Sequence, residues 1–140
     1  MKHAMGLFAG VLIAVFAGYG ISGYADTYLL SYGAIAIMSS LIAGTFLWLW
    51  RMRATPLALG MAFSWTGSAF VIGWWWIYTL LGRPIGMLEH PVLFVFVSFY
   101  IAGAIMHLAV IQRSFNLPQF FFVIPASAAV ALSALAVIAF

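Results

Sequence analysis

The chain has 140 residues, of which 67% are hydrophobic and 5% charged, and a formal net charge of +3; its mean hydropathy is +1.20. Soluble domains carry about 25% charged residues, so this composition excludes a water-facing domain, and five scattered Lys and Arg residues cannot form the clustered basic face that nucleic acids require. With no cysteine, disulfides, thiolate metal sites and cysteine nucleophiles are excluded as well.

About 20 mostly apolar residues are needed to cross a bilayer as a helix. Five stretches meet this length, and the runs are too long and lack the period-2 alternation of membrane β-strands. The first, Met5–Tyr24, follows Lys2 and His3 and ends near Gly23-Tyr24-Ala25. That layout imitates a signal peptide with a small-residue cleavage site, and it is read here as a first transmembrane helix. Gly6, Gly10, Ala14, Gly18 and Ser22 recur every four residues along it. Such a ridge lets a second helix approach closely, either within the bundle or across a seam between copies.

The second stretch, Leu29–Trp50, has a similar ladder at Ala36, Ser40 and Gly44 and ends in Trp48 and Trp50 before Arg51 and Arg53. The third, Leu57–Leu81, carries Gly60, Ser64 and Ser68 and ends in Trp74, Trp75, Trp76 and Tyr78. Aromatic residues gather at both membrane interfaces, which accounts for every Trp except Trp65, whose indole N–H falls inside the span and needs a partner. The fourth, Val92–Ile111, contains His107 and no clear small-residue face. The fifth, Gln119–Phe140, has a looser ladder at Ala126, Ala129, Ser133 and Ala136. Pro125 kinks it or marks its true start, with Phe120–Phe122 at the interface.

Cytoplasmic loops are enriched in Lys and Arg. An inside N-terminus gathers Lys2, Arg51, Arg53 and Arg113 on the cytoplasmic side and leaves only Arg83 outside. The expected fold is an all-α integral membrane protein: one domain, residues 1–140, folded as a compact bundle of five transmembrane helices. The N-terminus is cytoplasmic and the C-terminus outside, in the inner (plasma) membrane of a bacterium. The close-packing faces argue against a wide aqueous pore.

His107 is the sole Lys, Arg, Asp, Glu or His within a span after the N-terminal residues, and an ionisable group at that depth is by default a functional candidate. It lies six residues before Arg113, about 9 Å from the inner boundary. Gly103 stands one turn earlier and leaves a flat space beside the imidazole. This Gly103-x-x-x-His107 spacing resembles the small-x-x-x-His ligand of bacterial light-harvesting helices, over five residues; the resemblance implies a pigment magnesium held by the histidine. In size and helix count the chain is similar to tryptophan-rich sensory proteins, with no motif residue to carry the likeness further. The alternatives for His107 are a neutral imidazole hydrogen-bonded within the bundle, a proton relay, and exposure to an inner vestibule. His107, Gly103 and Trp65 are therefore the candidate ligand-binding residues, and no particular cofactor follows.

The loop from Gly82 to Pro91 holds Arg83, Glu89 and His90, either an outer polar site or a solvated loop. Two adjacent ligands without a third make no metal site. Asp26 and Glu89, the only acids, stand in different loops, so no carboxylate pair exists, and no nucleophile elbow or phosphate loop is present. These observations point to a non-enzymatic membrane protein: an accessory subunit, or a binder of a pigment, quinone or lipid within the bundle. The other reading is a small oligomeric proton-sensitive transporter or channel. The expected partners are the lipid bilayer and a larger membrane complex or further copies of the chain, and not nucleic acid.

Overall fold

The computed structural model describes residues 2–118 and 120–139, and among these it contains helices and turns but no strand. The first helix, α1, runs Lys2–Arg53 and takes in both of the first two expected spans. The break expected between Tyr24 and Leu29 is not a loop. Only Gly23 leaves helical geometry, at φ 79° and ψ 178°, a region open essentially to glycine alone. A one-residue reversal leaves nearly all backbone N–H and C=O groups within helical hydrogen bonds. The bend is sharp. A Cβ placed on Gly18 would lie 3.6 Å from the Thr27 hydroxyl, whereas nine residues of straight helix span about 13 Å. A groove of about 470 Å³ therefore has Val11 and Ala14 on one wall and Ile35 and Met38 on the other.

Helix α2 spans Pro56–Leu80 with its proline in the first turn, where the missing N–H is no loss. After it come a short α3 (Ile85–Leu88), α4 (Val92–Ser114) and α5 (Val123–Ala139). Both α2 and α4 end in paired backbone bonds closed by a left-handed residue. Arg83 N–H donates to Tyr78 O and Gly82 N–H to Thr79 O, with Gly82 at φ 74°. Leu117 N–H donates to Gln112 O and Asn116 N–H to Arg113 O, with Asn116 at φ 52°. These bonds satisfy carbonyls that the helix itself leaves open.

Three helical stretches are long and apolar enough to cross a membrane: Lys2–Arg53, Pro56–Leu80 and Ile85–Ser114. The apolar α5 has 17 residues, shorter than the expected Gln119–Phe140, whose end residues Gln119 and Phe140 lie outside the described residues. Phe120–Phe122 form turns, and Pro125 falls in the first turn of α5, where its ring obstructs no preceding carbonyl.

The centre of the molecule is α2, packed against α1 on one side and α4 on the other. Both pairs are antiparallel: Gly33 meets Trp76 and Ala36 meets Gly73, while Gly67 meets Tyr100 and Gly60 meets Met106. Tight packing is confined to these elements. The N-terminal arm of α1 and all of α5 bury no residue, so the compact five-helix packing expected from the sequence is instead a three-helix core with two open arms.

The packed faces also differ from the expected ladders. On α1 the buried residues are Gly33, Ala36, Ser39 and Ala43, while Ser40 and Gly44 are exposed. On α2 the α4-facing set is Gly60, Ser64 and Gly67. A turn holds 3.6 residues, so a strict spacing of four drifts about 40° per step, and a stripe stays on one face by mixing threes with fours. On the N-terminal arm, Gly6 and Gly10 have nothing within 4 Å of where a Cβ would stand, and Gly18 alone among its glycines touches another segment.

Candidate functional site

His107 faces α2 at Gly60, where a Cβ would lie 3.4 Å from the imidazole Cδ2 and 3.0 Å from Met106 Cβ. Its Nε2 is buried without a hydrogen-bond partner among the described residues. Gly103 does not open a space beside the ring. A Cβ there would collide with the hydroxyl and backbone nitrogen of Ser64 and come within 2.8 Å of Gly60 O. The helices cross so closely here that α2 occupies the volume the spacing left free. Trp65, next to Ser64, is partly buried.

The outer-loop residues part company. Arg83 lines a cavity of about 330 Å³ with Tyr24, Tyr28 and Thr79; these two tyrosines belong to a ring series in which Tyr24–Tyr28 and Tyr28–Tyr32 centroids stand 5.9 and 4.1 Å apart. His90 turns the other way. Its Nδ1 accepts the Val92 N–H at 3.2 Å, and its ring lies 5.6 Å from that of Trp74. The Trp74 indole donates to Met87 O at 3.1 Å, so this Trp ties the loop to α2. Glu89 is exposed at the end of α3. No group of three or more His, Asp or Glu that could hold a metal occurs among the described residues.

The chain matches no known protein-family model, no curated protein and no solved structure.

Two features lie outside the candidates drawn from sequence. The first is an aromatic series between α2 and α4. Phe63 and Phe99 stand 5.3 Å apart, Phe99 and Phe70 6.4 Å, Phe70 and Phe96 5.1 Å, and Phe96 and Trp74 5.9 Å. It runs beside the small-residue contacts of the same interface, from Phe63 to Trp74, and adds aromatic packing to them. The second is Gln112, only 6% exposed. Its Oε1 accepts the Phe122 N–H at 3.2 Å and so fastens the end of α4 to the entry of α5. The sequence signal for it was slight: an amide on the stripe that continues Ile101, Ile105 and Leu108. Gln112 also lines a cavity of about 580 Å³ with Arg113, Asn116 and Phe122. Beside it a groove of about 770 Å³ runs between α4 and α5, almost wholly apolar.

Proposed function

We propose that the chain is a non-enzymatic integral membrane protein that acts by association: an accessory subunit of a membrane assembly, or a holder of a lipid-soluble molecule. The observation that carries this reading is the contrast between filled and open faces. Gly33, Gly60, Gly67 and Gly103 are each pressed against a neighbouring helix, whereas Gly6 and Gly10 meet nothing and α5 buries no residue. Close-packing faces of this kind associate helices in lipid, and two are unused. Five crossings, with the N-terminus cytoplasmic and the C-terminus outside, complete the proposal. The two arms of α1, then α2, α4 and α5, make the crossings, in a bacterial inner membrane with Arg51, Arg53 and Arg113 on the inner side.

Purification in a mild detergent, with mass spectrometry of all that accompanies the chain and a visible spectrum, tests it. A stoichiometric partner or an apolar ligand is expected, and a bare, colourless, monodisperse protein refutes it. A second reading, a small oligomeric proton-sensitive transporter, is favoured by the buried His107 Nε2, which has no hydrogen-bond partner among the described residues. It requires pH-dependent flux in liposomes that His107→Phe abolishes.

A further inference from the structure

On α4, Ile101, Ile105, Leu108 and Gln112 follow one another at spacings of four, three and four, a single stripe along the helix. The first three line the apolar groove, whose opposite wall is α5 through Pro125, Ala129 and Val130. Gln112 opens the adjoining polar cavity with Arg113 and Asn116, closed on the α5 side by Phe122. The two spaces share no lining residue but stand about one turn apart on both walls: Leu108 and Gln112 on α4, Phe122 and Ala126 at the start of α5. A molecule lying along the slot between α4 and α5 would meet a polar site at the end of α4 and an apolar groove along its length.

The polar end offers hydrogen-bond donors to an anion. The Gln112 carboxamide is held by the Phe122 N–H on its oxygen, which leaves its NH₂ without an acceptor among the described residues. Arg113 adds a guanidinium, whose geometry suits phosphate oxygens. A second copy of the chain supplies no counter-charge for this end through α5: its two acids, Asp26 and Glu89, lie in α1 and beside α3, and α5 has no ionisable side chain. A phosphate does, and an acyl chain is the apolar molecule that a membrane provides to a groove of this shape.

We propose that the slot between α4 and α5 holds one phospholipid, its phosphate on Arg113 and the Gln112 amide and one acyl chain along Ile101, Ile105 and Leu108. This rests on the proposed reading of the chain as a membrane protein that holds lipid-soluble molecules, and it names the class of molecule.

The test uses the full chain, equilibrated in detergent with dioleoylphosphatidylglycerol or with dioleoylglycerol, which has the same acyl chains and no phosphate, and scored by native mass spectrometry. Retention of about one phospholipid per chain is expected, with little dioleoylglycerol. One basic side chain near a lipid surface contributes about a fivefold preference, so Arg113→Gln should lower retention by about that factor and Arg113→Lys should keep most of it. Ala129→Phe, which fills the groove from α5 and leaves the polar end alone, should lower retention too. Equal retention of both lipids, insensitivity to Arg113→Gln or Ala129→Phe, displacement by millimolar inorganic phosphate, or a lipid-free dimer joined through α5 would each overturn the proposal. Extraction of the chain from membranes by alkaline carbonate would instead overturn the membrane reading beneath it; resistance to carbonate without phospholipid retention overturns the lipid site alone.

Discussion

Replacing Gly103 by alanine adds one methyl group where α4 crosses α2. That methyl would collide with the Ser64 hydroxyl and backbone nitrogen and lie 2.8 Å from Gly60 O. Two of the three obstacles are backbone, so the helices themselves must separate. Overpacking of this kind costs about 1–3 kcal/mol, while alanine regains up to about 1 kcal/mol of helix propensity over glycine. The net expectation is a destabilisation of about 1–2 kcal/mol, or roughly a 5–30-fold rise in the unfolded fraction. Gly10→Ala and Gly44→Ala are the controls, because nothing lies within 4 Å of either position; they should be neutral or slightly stabilising. Reversible unfolding in mixed micelles by graded addition of a denaturing detergent, followed by circular dichroism, measures all three. Ser64→Gly should not rescue Gly103→Ala, since it removes only the side-chain obstacle. If Gly103→Ala unfolds no more readily than the controls, or if Ser64→Gly restores it fully, the backbone contact between α2 and α4 is not what holds them.

Other perturbations probe separate features. Gly23→Ala forces a side chain into a backbone conformation costing about 1–3 kcal/mol, so spin labels at Val11 and Met38, which line one groove, should move apart in a double electron–electron resonance distance measurement; an unchanged distance would show that the bend does not depend on glycine. Gln112→Leu leaves the Phe122 N–H without its acceptor, for about 1–3 kcal/mol, and faster hydrogen exchange at Phe122 is the expected sign. His107→Phe removes a buried nitrogen that has no hydrogen-bond partner among the described residues, so thermal stability should hold or rise. A large loss would reveal a hydrogen bond to Nε2. In Gly33→Ala the new methyl would stand 2.6 Å from Trp76 Cε2, and the displaced indole should alter the tryptophan emission.

The helices of the core were largely legible from hydropathy. The stretches expected at Leu57–Leu81 and Val92–Ile111 correspond to helices Pro56–Leu80 and Val92–Ser114, because Pro56, Gly82 and Pro91 punctuate an otherwise apolar text. The pairing of faces was less legible. A ladder written at strict fours captured Gly60 and Ser64 but continued to Ser68, where the helix instead presents Gly67. Hydropathy also could not separate a loop from a one-residue reversal, since Gly23 with Asp26 punctuates the chain in either case. The candidate site was least legible. The spacing of Gly103 and His107 shows a space only if no other helix takes it, and whether Ser64 does so depends on a crossing that sequence spacing alone does not encode. Gln112 went unnoticed because a lone amide beside an arginine looks like a helix end entering water.

The central position of α2 has a consequence for how the protein is made. Of the three long apolar helices it has the lowest mean hydropathy over its most apolar stretch, and the largest share of that stretch is shielded inside the protein. It carries Ser64, Thr66 and Ser68, with Trp65, in its middle. A segment with that content gains little from entering lipid alone, yet it emerges from the ribosome before α4, one of the two helices that cover it. Its entry into the bilayer should therefore depend on α1 waiting beside it, and removing α1 should strand α2 at the translocation channel even though every residue of α2 is intact.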